Sequence, residues 1–295
     1  MTNKFIGCGT ALITPFDGTG NVDEGVLRQL IRRQIESGIN FLVPCGTTGE
    51  SPTLTRVEHL RVCQITLEEA KPNGIPVLAG CGGYSTAEVI EMAKELENLG
   101  VDGLLSVTPY YNKPTQEGLF QHYSAIASAV SLPIVVYSVQ GRTGINVEPA
   151  TLKRLSKLPT IIGVKEASGN VSQMARILHD LPPTFLVLSG DDALALPLIA
   201  LGGKGLISVA SNQIPREMTS LVDAALKGEF TNARKFQQTW LPLMEVNFIE
   251  SNPIPVKAAM ALMGFCEANW RLPLVAPSES SMEKIAQVLK SVDLC

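Results

Sequence analysis

Apolar residues along this chain follow two alternating rhythms. Short runs rich in Val, Ile and Leu give way to loops of Gly, Thr and Pro, and these to segments whose apolar positions recur every three or four residues. Eight such rounds are legible, with candidate strands at residues 8–14, 40–44, 75–79, 103–107, 134–137, 161–165, 185–189 and 205–209. The helix expected over 23–37 carries Val26, Leu27, Leu30, Ile31 and Ile35 on one stripe, and that over 86–99 carries Val89, Ile90, Ala93 and Leu96. Ser85 and Asn170 stand where helices begin, their short side chains suited to accept an orphan N–H; Gly38 and Gly100 stand where helices reverse with positive φ.

Eight strand-helix rounds predict a closed parallel (β/α)8 TIM barrel and disfavour an open doubly wound sheet, and no Gly-x-Gly-x-x-Gly follows the first strand to hold a dinucleotide. After Lys227 the strand signals stop. Phe236, Trp240, Leu243, Met244 and Phe248 form one helical stripe, followed by apolar helical patterns at 256–263 and 282–289. The pattern thus predicts a catalytic barrel over residues 1–227 and a C-terminal helical extension over 228–295, whose apolar faces pack on the barrel or on another copy of the chain.

Composition narrows the function classes. A chain of 295 residues with 45% hydrophobic content fills a large core. Its formal charge of −4, with no basic cluster interleaved with aromatics, excludes a nucleic-acid surface. Residues 1–7 lack the basic-then-apolar order of a signal peptide, and no apolar run approaches the roughly 20 residues that span a bilayer, so no membrane partner and a cytoplasmic location are expected. Cys8, Cys45, Cys63, Cys81, Cys266 and Cys295 form no Cys-x-x-Cys pair and are expected as free thiols.

Catalytic groups in such barrels lie where strands end. On the sixth strand, simple alternation puts Ile161, Gly163 and Lys165 on one face and Ile162 and Val164 on the other. If the branched pair faces the helices, Lys165 points into the barrel, and Gly163 leaves room for its stem. Loss of hydration there favours the neutral amine that attacks a ketone to form an imine. Tyr137 closes the neighbouring strand, about 5 Å away, and its phenol suits the proton transfers of imine chemistry. The run Gly46-Thr47-Thr48-Gly49-Glu50 offers hydroxyls and backbone N–H groups to a carboxylate, and Arg142 offers a planar fork to a second one. His59, His122 and His179 all fall in expected helices, away from strand ends, which argues against a catalytic metal. For the same reason no histidine is expected beside Cys45, which reads as structural.

Taken together, Gly46-Thr47-Thr48-Gly49-Glu50-Ser51, Tyr110-Tyr111-Asn112-Lys113-Pro114, Gly141-Arg142-Thr143-Gly144, Gly163-Val164-Lys165-Glu166-Ala167-Ser168-Gly169, Ser189-Gly190-Asp191-Asp192 and Asn252-Pro253-Ile254-Pro255-Val256-Lys257 closely resemble the dihydrodipicolinate synthase and N-acetylneuraminate lyase family, and within it the synthase branch. The resemblance runs essentially the full length. It implies a pyruvate Schiff base on Lys165 and a proton relay of Tyr137, Thr48 and Tyr111, with Tyr111 lent across a dimer interface. It also implies a pyruvate cradle of Thr47, Thr48, Gly190 and the backbone near Ile207, and Arg142 guiding L-aspartate 4-semialdehyde. The implied product is 4-hydroxytetrahydrodipicolinate, on the diaminopimelate route to lysine. No cofactor or metal is implied, and the implied assembly is a homotetramer of two tight dimers. Sialic-acid or 2-keto-3-deoxy sugar-acid cleavage through the same imine is the alternative chemistry.

Two departures bear on that reading. The chain reads Tyr137-Ser138-Val139-Gln140-Gly141-Arg142 where the family usually has Tyr-Asn-Val-Pro-Gly-Arg, so a rigid proline before Arg142 is replaced. A lysine-binding allosteric pocket is implied at Ser51, His59, Tyr84, Glu88 and Tyr110, but Arg56 and Tyr84 stand where His and Asn are common, and the bulk of Tyr84 is expected to obstruct it.

Overall fold

In the computed structural model, which describes residues 4–295, eight short parallel strands surround one axis. They are β1 (Gly7–Ala11), β2 (Phe41–Val43), β3 (Leu78–Gly80), β4 (Gly103–Val107), β5 (Ile134–Ser138), β6 (Ile161–Glu166), β7 (Leu186–Ser189) and β8 (Gly205–Ser208). Residues 1–3, part of the amino-terminal stretch considered for a targeting signal, lie outside the described residues. Pairing runs β2-β1-β8-β7-β6-β5-β4-β3, and the remaining gap is spanned by a parallel bridge between Leu42 and Val77, with Leu42 N donating to Pro76 O at 2.9 Å and Gly80 N to Pro44 O at 2.9 Å. The predicted eightfold parallel barrel is therefore the observed one.

Strand limits move for local reasons. The expected strand at 75–79 forms later because Ile75 N still bonds Ala70 O at the preceding helix end and Pro76 has no N–H to give. The strand expected to reach Thr14 ends at Ala11, and Thr14 turns its hydroxyl onto Gly49 O at 2.7 Å.

Between the strands lie α1 (Glu24–Glu36), α2 (Arg56–Ala70), α3 (Thr86–Leu99), α4 (Gln116–Ala129), the single turn α5 (Gln140–Thr143), α6 (Pro149–Leu155), α7 (Val171–Asp180) and α8 (Ala195–Ala200). Ser85 caps α3 by accepting from Glu88 N, Asn170 caps α7 by accepting from Gln173 N, and Gly38 and Gly100 hold φ of 85° and 88°. After β8 come α9 (Pro215–Leu226), α10 (Phe230–Val246), α11 (Ile254–Leu262) and α12 (Glu279–Ser291). On the expected stripe, Leu243 and Met244 are buried and Phe236 and Trp240 pack on the outer core, whereas Phe248 is 45% exposed.

Apolar packing forms two shells. Leu42, Leu104, Val136 and Val164 face the helices, while Phe41, Val43, Leu105, Val135, Leu186, Leu188 and Ile207 fill the barrel, so the open space lies above this plug at the strands' carboxyl ends. Each large side chain so buried contributes about 1.5–3 kcal/mol. One expected alternation is corrected here. A register shift between Ile134 and Val135 pairs them with Ile161 and Gly163, so the bulge falls at Ile162. Ile161 joins the outer shell, and Ile162 packs against the inner one. Alternation resumes beyond the bulge, with Val164 outward and Lys165 inward. Among the described residues no helix is long and apolar enough to cross a membrane.

Candidate active site

The strand ends open on a cavity of about 710 Å³ whose wall includes Thr47, Thr48, Tyr137, Arg142, Lys165 and Gly190. Lys165 is 5% exposed and stands directly opposite Tyr137 in the ladder, its Nζ 4.1 Å from the centre of the phenol ring. Among the described residues Nζ has no ion-pair or hydrogen-bond partner. Gly190, and not Gly163, leaves space for the stem. A Cβ at Gly190 would stand 2.9 Å from Lys165 Cε and 3.2 Å from Cγ, whereas one at Gly163 would meet Leu186.

A second buried lysine provides the contrast. Lys257 of α11 is fully buried, but its Nζ lies 2.6 Å from Glu50 Oε1 and 4.2 Å from the centre of the Phe16 ring, so its charge is neutralised and its lone pair is not offered to a ligand. It ties the C-terminal helices to the loop after β2.

That loop turns sharply. Cys45 and Glu50 adopt left-handed backbone conformations, Gly49 N donates to Gly46 O at 3.1 Å and Glu50 N to Thr47 O at 3.1 Å. The Thr47 and Thr48 amides take no acceptor among the described residues. Thr48 Oγ1 accepts from Asn252 Nδ2 at 3.0 Å, so its own proton remains to be donated. Asn252 O in turn accepts from Arg142 Nη2 at 3.0 Å, making Asn252 the shared anchor of two site residues. Sequence reasoning assigned Asn252 no role; its only signal was membership of the run ending at Lys257.

The loop carrying Arg142 holds its shape without the proline. Ser138 Oγ donates to Asn146 Oδ1 at 3.2 Å and accepts from Val147 N at 3.1 Å; Asn146 Nδ2 donates to Gln173 Oε1 at 2.7 Å, and Gln173 Nε2 to Glu166 Oε1 at 2.9 Å. Burial pushes the Glu166 carboxyl above its ordinary range. Gln140 opens α5, whose turn closes through Gly144 N on Gln140 O at 2.9 Å. Opposite, buried Asp192 accepts from Ser208 Oγ at 2.5 Å, Val209 N at 3.1 Å and Ala210 N at 3.0 Å, and burial raises its carboxyl to about 6. This pins the β8 end, where Val209 lines the cavity and the Ile207 side chain lies below in the barrel plug.

Tyr111 is not brought to Lys165 within one chain. It is 91% exposed, on the loop after β4, with a φ of 67°. Ser51, His59, Tyr84, Glu88 and Tyr110 do meet, lining an adjoining cavity of about 530 Å³ that also touches Thr47, Tyr137 and Arg142. Tyr84 stands at its rim: the ring is 53% exposed and meets Tyr110 edge-on at 5.3 Å, while Arg56 is drawn to Glu91 at 3.2 Å and Glu95 at 2.7 Å. The expectation that Cys45 lacks a histidine neighbour is overturned. Cys45, His59 and Cys63 put their ligating atoms within 4.8 Å of one another, because the inner face of α2 lies against the end of β2. The six thiols are free.

Comparison with known proteins agrees with this fold. The model of the dihydrodipicolinate synthetase family matches residues 4–292. A 4-hydroxy-tetrahydrodipicolinate synthase of Koribacter versatilis is 53% identical over 287 residues, covering 96% of this chain and 95% of that one. The crystal structure of dihydrodipicolinate synthase from Thermotoga maritima superposes with a TM-score of 0.97 at 44% identity, over 99% of this chain and 100% of that one. A synthase variant described as monomeric superposes with a TM-score of 0.96 at 44% identity, over 99% of this chain and 98% of that one.

Proposed function

The chain belongs to the dihydrodipicolinate synthetase family, and we propose that it condenses pyruvate with L-aspartate 4-semialdehyde to give 4-hydroxytetrahydrodipicolinate, on the route to diaminopimelate and lysine. The observation that carries this reading is a buried amine, Lys165 Nζ, unpaired among the described residues and set over the face of Tyr137 in a cavity walled by two threonines and an arginine.

The chemistry follows from the groups present. Lys165 attacks the pyruvate ketone, and loss of water from the carbinolamine gives an imine. Removal of a methyl proton yields the enamine, which adds to the aldehyde of the second substrate. The substrate's amine then displaces Lys165 and closes the ring. Tyr137 carries protons at these steps, with Thr48 donating its free hydroxyl proton onward. Thr47 and Thr48, with their unpartnered amides, receive the pyruvate carboxylate, and the unused arms of the Arg142 fork receive that of the semialdehyde. Tyr111 completes the relay only if a second copy delivers it, which its 91% exposure permits, so a dimer within a tetramer is part of this proposal. The adjoining cavity at Ser51, His59, Tyr84, Glu88 and Tyr110 is read as an effector site for lysine, weakened by the Tyr84 ring at its rim.

Borohydride reduction in the presence of pyruvate tests the assignment. A stable adduct is expected on Lys165 and its loss in Lys165→Ala; an adduct on Lys257, or turnover of a sugar acid with none of the semialdehyde, would overturn it.

A further inference from the structure

At the smaller cavity lies the one group of three described residues whose side chains are arranged to hold a metal ion, and the catalytic scheme uses none of them in that capacity. Cys45 lies just beyond β2, and His59 and Cys63 stand one turn apart on the inner face of α2; all three are buried. The two sulfurs are 3.8 Å apart. That is the edge of a tetrahedron around zinc, since Zn–S bonds of about 2.3 Å at the tetrahedral angle separate two sulfurs by about 3.8 Å. No separation within the group exceeds 4.8 Å, so the edge to the imidazole, about 3.6 Å in such a site, is reached by closing at most about 1.2 Å.

The fold already fixes which imidazole nitrogen is free to bind a metal. His59 Nε2 lies 2.9 Å from Gly80 O, a carbonyl that can only accept, so Nε2 carries the proton and Nδ1 keeps the lone pair. A backbone carbonyl behind the ring is the usual support of a metal-bound histidine. Charge also balances: two thiolates and a neutral imidazole around a divalent cation sum to zero, the one combination such a buried position holds without a further counter-ion. Cys45 and His59 line the cavity of about 530 Å³, which supplies a route in and a fourth ligand position for water.

We propose that Cys45, His59 and Cys63 form a site for a soft divalent cation of the zinc class, which clamps the start of the Gly46-Thr47-Thr48 loop to α2. Two S–metal bonds and one N–metal bond form, the two thiol protons pass to solvent, and no redox change occurs. The proposal is independent of the Schiff-base reading, because its test reads binding and not turnover.

The test uses the full chain with Cys266→Ser and Cys295→Ser, which removes the two cysteines that are not fully buried, kept reduced and dialysed against zinc or cobalt(II). One zinc per chain is expected, with a raised thermal midpoint, proton release that makes the binding heat depend on the buffer, and the visible and near-ultraviolet bands of tetrahedral cobalt–thiolate. Cys63→Ala should lose the stoichiometric metal and the bands while keeping borohydride-trappable Lys165, which shows that it folds; should it not fold, Cys45→Ser gives the same readout. Absence of thiolate bands in the parent, their survival in both variants, or a Cys45–Cys63 disulfide in the protein as isolated would each overturn the site.

Discussion

Substituting Gly190 isolates the positioning of the proposed nucleophile, Lys165, from its chemistry. Gly190 is not in the left-handed region, so alanine brings no backbone strain of its own; its Cβ would stand 2.7 Å from Ala167 Cβ, 2.9 Å from Lys165 Cε and 3.2 Å from Lys165 Cγ. Carbon atoms settle about 3.5–4.0 Å apart, so the lysine stem must retreat by about 0.6–1.1 Å. A displacement of about 1 Å at a reacting group costs about 100-fold in rate, or about 2.7 kcal/mol of barrier. The contact with Ala167 is a separate matter of overpacking, at about 1–3 kcal/mol of folding stability. The two effects separate in the double variant Gly190→Ala with Ala167→Gly, which removes the Ala167 methyl and leaves the overlap with Lys165. Steady-state turnover, the rate of borohydride trapping and the thermal midpoint should be measured on all three proteins. The single variant Gly190→Ala should lose both stability and trapping rate, and the double variant should regain stability alone. Trapping by Gly190→Ala within about twofold of the parent, or a double variant that recovers rate together with stability, would refute the argument that Gly190 is there for the lysine stem.

Two further outcomes follow from groups outside the nucleophile. Arg271 grips Glu58 with Nη2–Oε1 at 2.5 Å and Nη1–Oε2 at 2.9 Å, and this pair, aided by the Thr55 backbone, lowers the carboxyl from 4.5 to about 2. A depressed carboxyl stabilises the fold above its ordinary range and loses that contribution as pH falls toward about 2, so Glu58→Gln should flatten the thermal-midpoint profile between about pH 4.5 and 2 while keeping the helix-capping geometry; superimposable profiles would contradict the linkage. At the second cavity, Tyr84→Asn removes the ring that sits edge-on to Tyr110 and should shift inhibition by free L-lysine to lower concentration with the uninhibited rate retained. An unchanged lysine titration would show that Tyr84 does not limit that pocket.

How far the fold was legible in the sequence can be judged at β6. Hydrophobic rhythm located the strand and its end, since both depend on residues adjacent in the chain. It misassigned Ile161 and Ile162, because a bulge is a property of the pairing with β5 and leaves no mark on the periodicity of one strand. Lys165 still came out inward only because the bulge precedes it and Val164, Lys165 and Tyr137 alternate normally beyond it. Gly163 was credited with the space that Gly190 provides, for the same reason: the glycine that matters lies on the neighbouring strand's end, across a register no single segment reveals.

The candidate site divides along the same line. Lys165, Tyr137, Thr47, Thr48 and Arg142 were readable as residue types at strand ends. What holds them was not, because its partners are remote: Arg142 meets Asn252 across 110 residues, Thr48 meets Asn252 across 204, and Glu50 meets Lys257 across 207. The last of these contacts also separates the two buried lysines. By burial alone Lys257 is the better desolvated amine, and a sequence offers no means of knowing that α11 delivers it onto Glu50. Once paired, it requires its charge to satisfy the carboxylate, and deprotonating it would strand Glu50 as an unpaired buried anion at a cost of several kcal/mol. Lys165 bears no such obligation among the described residues, so the attack and release proposed for it would leave no carboxylate uncompensated. The proposed freedom of one lysine to react therefore depends on its lack of a partner among the described residues, while the fixed pairing of the other holds the loop after β2 to the C-terminal helices.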